Sequence, residues 1–212
     1  MHYFGGQTAP RNIQPGWAPE HRFGIIPVIT FYTASKNSSE TGIFASFVTS
    51  MKKIFNPYAL QPGYNCFGCS PHNPTGLKME FYETDESIIS EWVIGADYCG
   101  YKDVLHGGIQ ATLMDEIASW YVFVKCKTGG VTSGMEVKYH KPVQGVGKRV
   151  KLEARLREMH HKLAKMYVNL MDENGAVCST AEVTYYLFPQ KISRDKLGFP
   201  DPELFYKDEQ SD

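Results

Sequence analysis

His106, Gly107, Gly108 and, nine residues after the histidine, Asp115 are the residues whose types and spacing could do chemistry. Paired glycines let a ligand approach the backbone closely, and the first N–H groups of a helix that begins there have no intrahelical acceptor. Such donors favour a carbonyl oxygen that is becoming negative. Asp115 lies two helical turns further in, shielded yet able to reach a pocket. Donors for an oxyanion together with a nearby carboxylate are the equipment of acyl transfer.

These residues need an element to hold them. Ile109, Leu113, Ile117, Trp120, Tyr121 and Val124 recur at helical spacing. They predict a helix from Gly108 to about Cys126, buried on most sides and ended by Gly129-Gly130. Upstream, Leu77, Met79 and Phe81 alternate with Lys78 and Glu80 as a half-buried strand would, and Ile89 to Ala96 is a second candidate. Residues 97–106 read as a loop. Downstream, Met135, Val137 and Tyr139 alternate with polar residues. Val150, Leu152, Ala154 and Leu156 alternate with Lys151, Glu153, Arg155 and Arg157, the cleanest period-two run. Ala164, Met166, Val168 and Leu170 lead into Asp172-Glu173-Asn174-Gly175, a turn whose return strand runs from Ala176 to Phe188. One buried helix followed by antiparallel strands implies an α+β fold.

A second segment joins the first at this point: Cys66-Phe67-Gly68-Cys69-Ser70-Pro71-His72-Asn73-Pro74-Thr75-Gly76-Leu77. With the acid nine residues after His-Gly-Gly, it resembles the hotdog-fold acyl-CoA thioesterases of the PaaI-like and 4-hydroxybenzoyl-CoA thioesterase group. The resemblance covers about residues 57–189. It implies the hotdog fold, a curved antiparallel sheet wrapped around one long central helix, and pairing of two subunits with active sites at their interface.

The resemblance also assigns roles. Asp115 is the catalytic acid, either a nucleophile that forms an anhydride or a base that activates water. Gly107 supplies the backbone N–H that polarises the thioester carbonyl, and His106 chiefly shapes the loop and helix start. Thr132 falls where relatives place a Ser or Thr, from the partner subunit, to hold the attacking water. Ser133 beside it and Gly108 are candidate substrate contacts. Glu116 lies about 100° around the helix from Asp115 and cannot share its geometry. It is expected to pair with a basic residue, orient the loop or touch substrate. Relatives commonly carry Asn or Gln six or seven residues before the His; Cys99 and Gly100 stand there, a departure. Cys99 as a nucleophile lacks a paired base in the sequence.

Cys66-x-x-Cys69 with His72 has zinc-like spacing, and Cys99 could be a fourth ligand. A tight turn of small buried thiols is the expectation instead, with no metal and no cofactor in the reaction. No nucleophile elbow, phosphate loop or dinucleotide fingerprint is present.

The chain has 212 residues, 42% of them apolar and 13% aromatic, with net charge −1. That suffices for one domain with a full core and gives no global attraction to nucleic acid or an anionic membrane. No run reaches the roughly 18 apolar residues of a membrane span. The five cysteines form no secreted disulfide framework, with Cys99, Cys126 and Cys178 scattered singly, and suggest a reducing, cytoplasmic setting. Residues 1–50 show no period and read either as a loose extension or as sequence upstream of a true start at Met51. Residues 51–189 are the expected hotdog domain and 190–212 a C-terminal tail. The reading is therefore an acyl-CoA thioesterase, a homodimer or dimer of dimers that takes acyl-CoA and no nucleic acid or membrane. The first alternative is a non-catalytic acyl-CoA-binding hotdog protein. The second is a hotdog hydratase, which needs a different His–acid arrangement.

Overall fold

The computed structural model describes residues 51–207. The expectation for residues 1–50 lies outside them, and the described residues fall within one compact unit, Ser46–Asp212. The main strands are β1 (Lys52–Ile54), which no sequence period marked, and β2 (Phe81–Glu83), β3 (Ser87–Val93), β6 (Gly130–Tyr139), β7 (Arg149–His160), β8 (Leu163–Met171) and β9 (Val177–Leu187), which fall on or beside the alternating runs. They form one antiparallel sheet in the order β1-β2-β3-β7-β8-β9-β6. A two-stranded hairpin, β4 (Cys99–Tyr101) with β5 (Val104–Leu105), stands apart. The helical pattern becomes α1 (Gly107–Lys125), which packs on β3, β6, β7, β8 and β9. This is the hotdog arrangement.

The core follows from the alternation. Val150, Leu152 and Ala154 of β7 and Ala164, Met166, Val168 and Leu170 of β8 are buried against Leu113, Met114, Ile117 and Ala118 of α1. Asp172 fixes the β8–β9 turn by accepting from the N–H groups of Asn174 (3.0 Å) and Ala176 (2.9 Å), and Gly175 takes φ +78° there.

Three expectations are corrected. Leu77, Met79 and Phe81 are buried in alternation as expected, but residues 77–80 are not strand. Lys78 adopts φ +52°, which breaks the pleat, and the N–H groups of Leu77 and Met79 bond back to the carbonyls of Phe67 (2.7 Å) and Gly68 (3.0 Å). The supposed loop 97–106 holds the β4–β5 hairpin, turned at Asp103 with φ +61°. Residues 190–207 do not trail away as a tail. They form α2 (Gln190–Leu197), closed by left-handed Gly198, and a 3-10 turn at Pro202–Tyr206.

The reason is two aromatic residues set in a polar stretch. Phe199 and Phe205 are buried, and the Phe205 ring meets Trp120 edge-on at 5.8 Å. Trp120 in turn stacks on Phe81 at 4.4 Å, so the segments flanking the sheet lock onto the far half of α1. Phe205→Ala is expected to cost about 3–5 kcal/mol, typical of a buried Phe. Chemical denaturation measures it, and a loss under about 1 kcal/mol would mean that the C-terminal segment contributes nothing to the core.

Candidate active site

The helix start is built by its own histidine. His106 is the N-cap of α1, and its ring Nδ1 accepts from the Gly108 N–H at 2.9 Å. That places the ring proton of neutral His106 on Nε2. The His106 backbone N–H donates to the Tyr98 carbonyl at 3.0 Å, which ties the cap to the preceding hairpin. Gly108 therefore has its N–H committed to the cap. The Gly107 N–H has no protein acceptor among the described residues. Tyr139 Oη donates to the Gly107 carbonyl at 2.8 Å, holding this peptide from β6. A cleft of about 590 Å³ opens before the helix start, lined among others by Tyr101, Leu105, His106, Gly107 and Tyr139.

The departure at Gly100 has a steric reason. A Cβ there would stand 2.9 Å from Cδ2 of the His106 ring, so no side chain fits at this point. Cys99 turns away, its sulfur 3.8 Å from the Gly95 carbonyl.

Asp115 is held by a cross-strand pair. Thr132 Oγ1 donates to Asp115 Oδ1 at 2.8 Å and Tyr185 Oη donates to the same oxygen at 3.1 Å. Thr132 of β6 and Tyr185 of β9 are direct register partners. The register then slips between Thr132 and Gly134, making Ser133 an extra residue in the strand. Ser133 Oγ donates to the Thr184 carbonyl at 3.1 Å, away from Asp115. Burial, and next the Asp115 charge, push the Tyr185 phenol above its ordinary value, so it remains a donor. Oδ2 of Asp115 has no protein donor among the described residues. The sequence did not reveal Tyr185; an inward-facing tyrosine in β9 was its only trace. Thr132 meets Asp115 of its own chain, so this contact does not need the partner subunit that the resemblance implied.

Gly107 and Asp115 are not brought together. Eight residues of helix separate them by about 12 Å along the axis. Within one chain they cannot touch the same carbonyl.

Glu116 faces another way and pairs with no base. Its carboxylate accepts from Trp120 Nε1 at 3.2 Å and lies 3.7 and 3.8 Å from the Cys66 sulfur. Burial, and then the Cys66 charge, push it up to about 7. The Cys66 thiol is lowered to about 5, first by a hydrogen bond from Cys69, against burial, and further by the backbone N–H groups of Cys69 and Gly68. Cys69 is correspondingly raised, chiefly through the same bond. Among the described residues, Cys66, Cys69 and Glu116 are the group whose ligand atoms converge, all within 4.8 Å of one another. His72 and Cys99, the other suggested zinc ligands, are not part of it.

The profile of the thioesterase superfamily matches residues 102–179. The match covers well under half of the chain. The matched stretch contains His106, Gly107, Asp115, Thr132 and Ser133; Cys66, Cys69 and Tyr185 lie outside it. A crystal structure of another thioesterase superfamily protein superposes with TM-score 0.51 at 19% identity, over 55% of this chain and 57% of that one. The chain thus spans little more than half the length of that relative. The Streptococcus mutans protein smu.793, solved bound to acetyl-CoA, superposes with TM-score 0.51 at 15% identity over 61% of this chain and 96% of that one. Both likenesses are of fold, and they agree with the hotdog arrangement described above. No curated protein matches the chain by sequence. Among the described residues no helix is long and apolar enough to cross a membrane.

Gly68 is the residue on which the Glu116 arrangement turns. A Cβ at Gly68 would stand 2.3 Å from Glu116 Cδ and 2.6 Å from its Cγ. Gly68→Ala is therefore expected to destabilise by about 1–3 kcal/mol through overpacking. The double variant Gly68→Ala/Glu116→Ala should lose less than the sum of the two single changes in denaturant titrations. Strict additivity would show that the two positions do not meet.

Proposed function

We propose that the chain hydrolyses an acyl-CoA thioester to a free acid and CoA. The observation that carries this reading is Asp115, a carboxylate held through one oxygen by Thr132 and Tyr185 with the other left open. The helix that bears it begins at a peptide, Gly107, whose N–H is uncommitted and faces a cleft. In hydrolysis the carbonyl carbon gains an oxygen from water and loses its bond to sulfur. The thiolate leaves with a proton as CoA, and the acyl group departs as the acid. Asp115 serves as the nucleophile of an intermediate anhydride or as the base that takes the proton of water. The Gly107 N–H, at the positive end of α1, receives the oxyanion. His106 holds that peptide through the Gly108 bond and stays out of the proton transfer. No cofactor enters the reaction.

The site is completed by a second copy. Reacting groups must stand about 3–3.5 Å from the atoms they act on, and about 12 Å separates Gly107 from Asp115 along α1. A homodimer brings Gly107 of one copy to Asp115 and Thr132 of the other. The strand that carries Thr132 supports this. Among the described residues β6 is an end strand, paired with β9 on one side only, with Val131 and Tyr139 exposed along it. A long unpaired edge with exposed apolar residues is stable when a partner covers it. The segment from Cys66 to Leu77 supports membership of the PaaI-like group, and five free cysteines suit a reducing cytoplasm.

Asp115→Asn is expected to lower thiol release from acyl-CoA by about a hundredfold or more with little change in binding. Gly107→Pro removes the N–H donor at the first helical position, where proline fits, and His106 already has the extended backbone (φ −60°, ψ 136°) that precedes proline. Co-refolding the two variants gives half heterodimers with one intact site of two, hence recovery to roughly a quarter of wild-type rate. No recovery from stably mixed dimers would reject the shared site. Tight acyl-CoA binding with no turnover by the wild type on a broad acyl-CoA panel would point instead to a binding protein.

A further inference from the structure

We propose that Cys66, Cys69 and Glu116 form a binding site for a thiophilic divalent cation of the zinc type, which pins the Cys66–Gly76 loop to the middle of α1. The reasoning is independent of whether the chain hydrolyses thioesters.

The donor set suits such an ion. Two thiol sulfurs and one carboxylate converge within 4.8 Å of one another. Tetrahedral zinc holds sulfur at about 2.3 Å and oxygen at about 2.0–2.2 Å, so the sulfur–oxygen edge of its coordination polyhedron is about 3.6 Å. The Cys66 sulfur already lies 3.7 and 3.8 Å from the two Glu116 oxygens. That edge thus already stands near coordination spacing. Soft sulfur donors select zinc over magnesium or calcium, which prefer all-oxygen sites.

The surroundings are those of ligands held in place. Trp120 Nε1 donates to Glu116 Oε1 at 3.2 Å, fixing the carboxylate and leaving Oε2 for an ion. The Tyr64 hydroxyl lies 2.9 Å from the Cys69 sulfur, where it supports that ligand. Gly68 lacks the Cβ that would exclude Glu116. Among the described residues the side-chain partners of Glu116 are Cys66 and Trp120, with no basic residue to balance the two thiols and the carboxyl. A divalent cation supplies that balance. Three protein ligands leave one position for water.

The test uses the full chain, reduced with a non-chelating phosphine, loaded with zinc sulfate and dialysed. Elemental analysis should find about one zinc per chain. Loading with cobalt(II) instead should give thiolate-to-cobalt charge-transfer bands and the visible bands of a tetrahedral ion. Cys66→Ser/Cys69→Ser should abolish both, and His72→Ala and Cys99→Ser should keep both. Chelation should lower the melting temperature. Less than about a tenth of an equivalent on the folded wild type, cobalt spectra without thiolate bands, or binding that survives loss of both cysteines would each overturn the proposal. The cobalt spectrum is read on the wild type, so the answer does not depend on the variants folding.

Discussion

Burial of α1 against the seven-stranded sheet is the constraint on which everything else depends. Leu113, Met114, Ile117 and Ala118 are fully buried, so the rotation of the helix about its axis is fixed by the core. Successive residues of a helix point about 100° apart. Once the apolar stripe is set, Asp115 must face one flank and Glu116 another. Asp115 meets β6 and β9 through Thr132 and Tyr185. Glu116 meets the loop from Cys66 to Cys69. Two adjacent acids thus receive opposite environments, one with an open oxygen and two hydroxyl donors, the other enclosed by thiols and an indole.

The same helix imposes the second constraint. At its start the His106 ring caps the Gly108 N–H and leaves that of Gly107 uncommitted among the described residues. A rigid helix then keeps that donor and Asp115 about 12 Å apart. No motion of side chains closes such a gap. The proposed second copy answers that gap, and the exposed edge of β6 is where the proposal seats it.

The sequence made local order legible and long-range partners illegible. The helix, β7, β8 and the turn at Asn174-Gly175 were readable because each rests on a period or a turn preference within a dozen residues. Lys78 was not, since a single left-handed residue leaves the burial alternation of Leu77, Met79 and Phe81 intact while removing the strand. Tyr185 was hidden because its pairing with Thr132 depends on a register that an extra residue at Ser133 shifts. Glu116 was expected to find a base, and its real neighbour Cys66 is fifty residues away in sequence. Phe205 was lost in a polar stretch, because two aromatic residues without a period give no pattern to read.

Two of these contacts, those of Glu116 and Phe205, share one location. The matched superfamily stretch, residues 102–179, supplies the helix start, Asp115 and Thr132. The parts outside it, the Cys66–Gly76 loop and residues 190–207, both close on Trp120: the loop through Glu116, to which the Trp120 indole donates, and the C-terminal segment through Phe205. Trp120 is one turn beyond Glu116, so rigidity gained there is transmitted along the helix toward Asp115. The flanking segments therefore reinforce the half of α1 opposite its open start. The helix start is left open to the cleft while its other half is clamped from both sides.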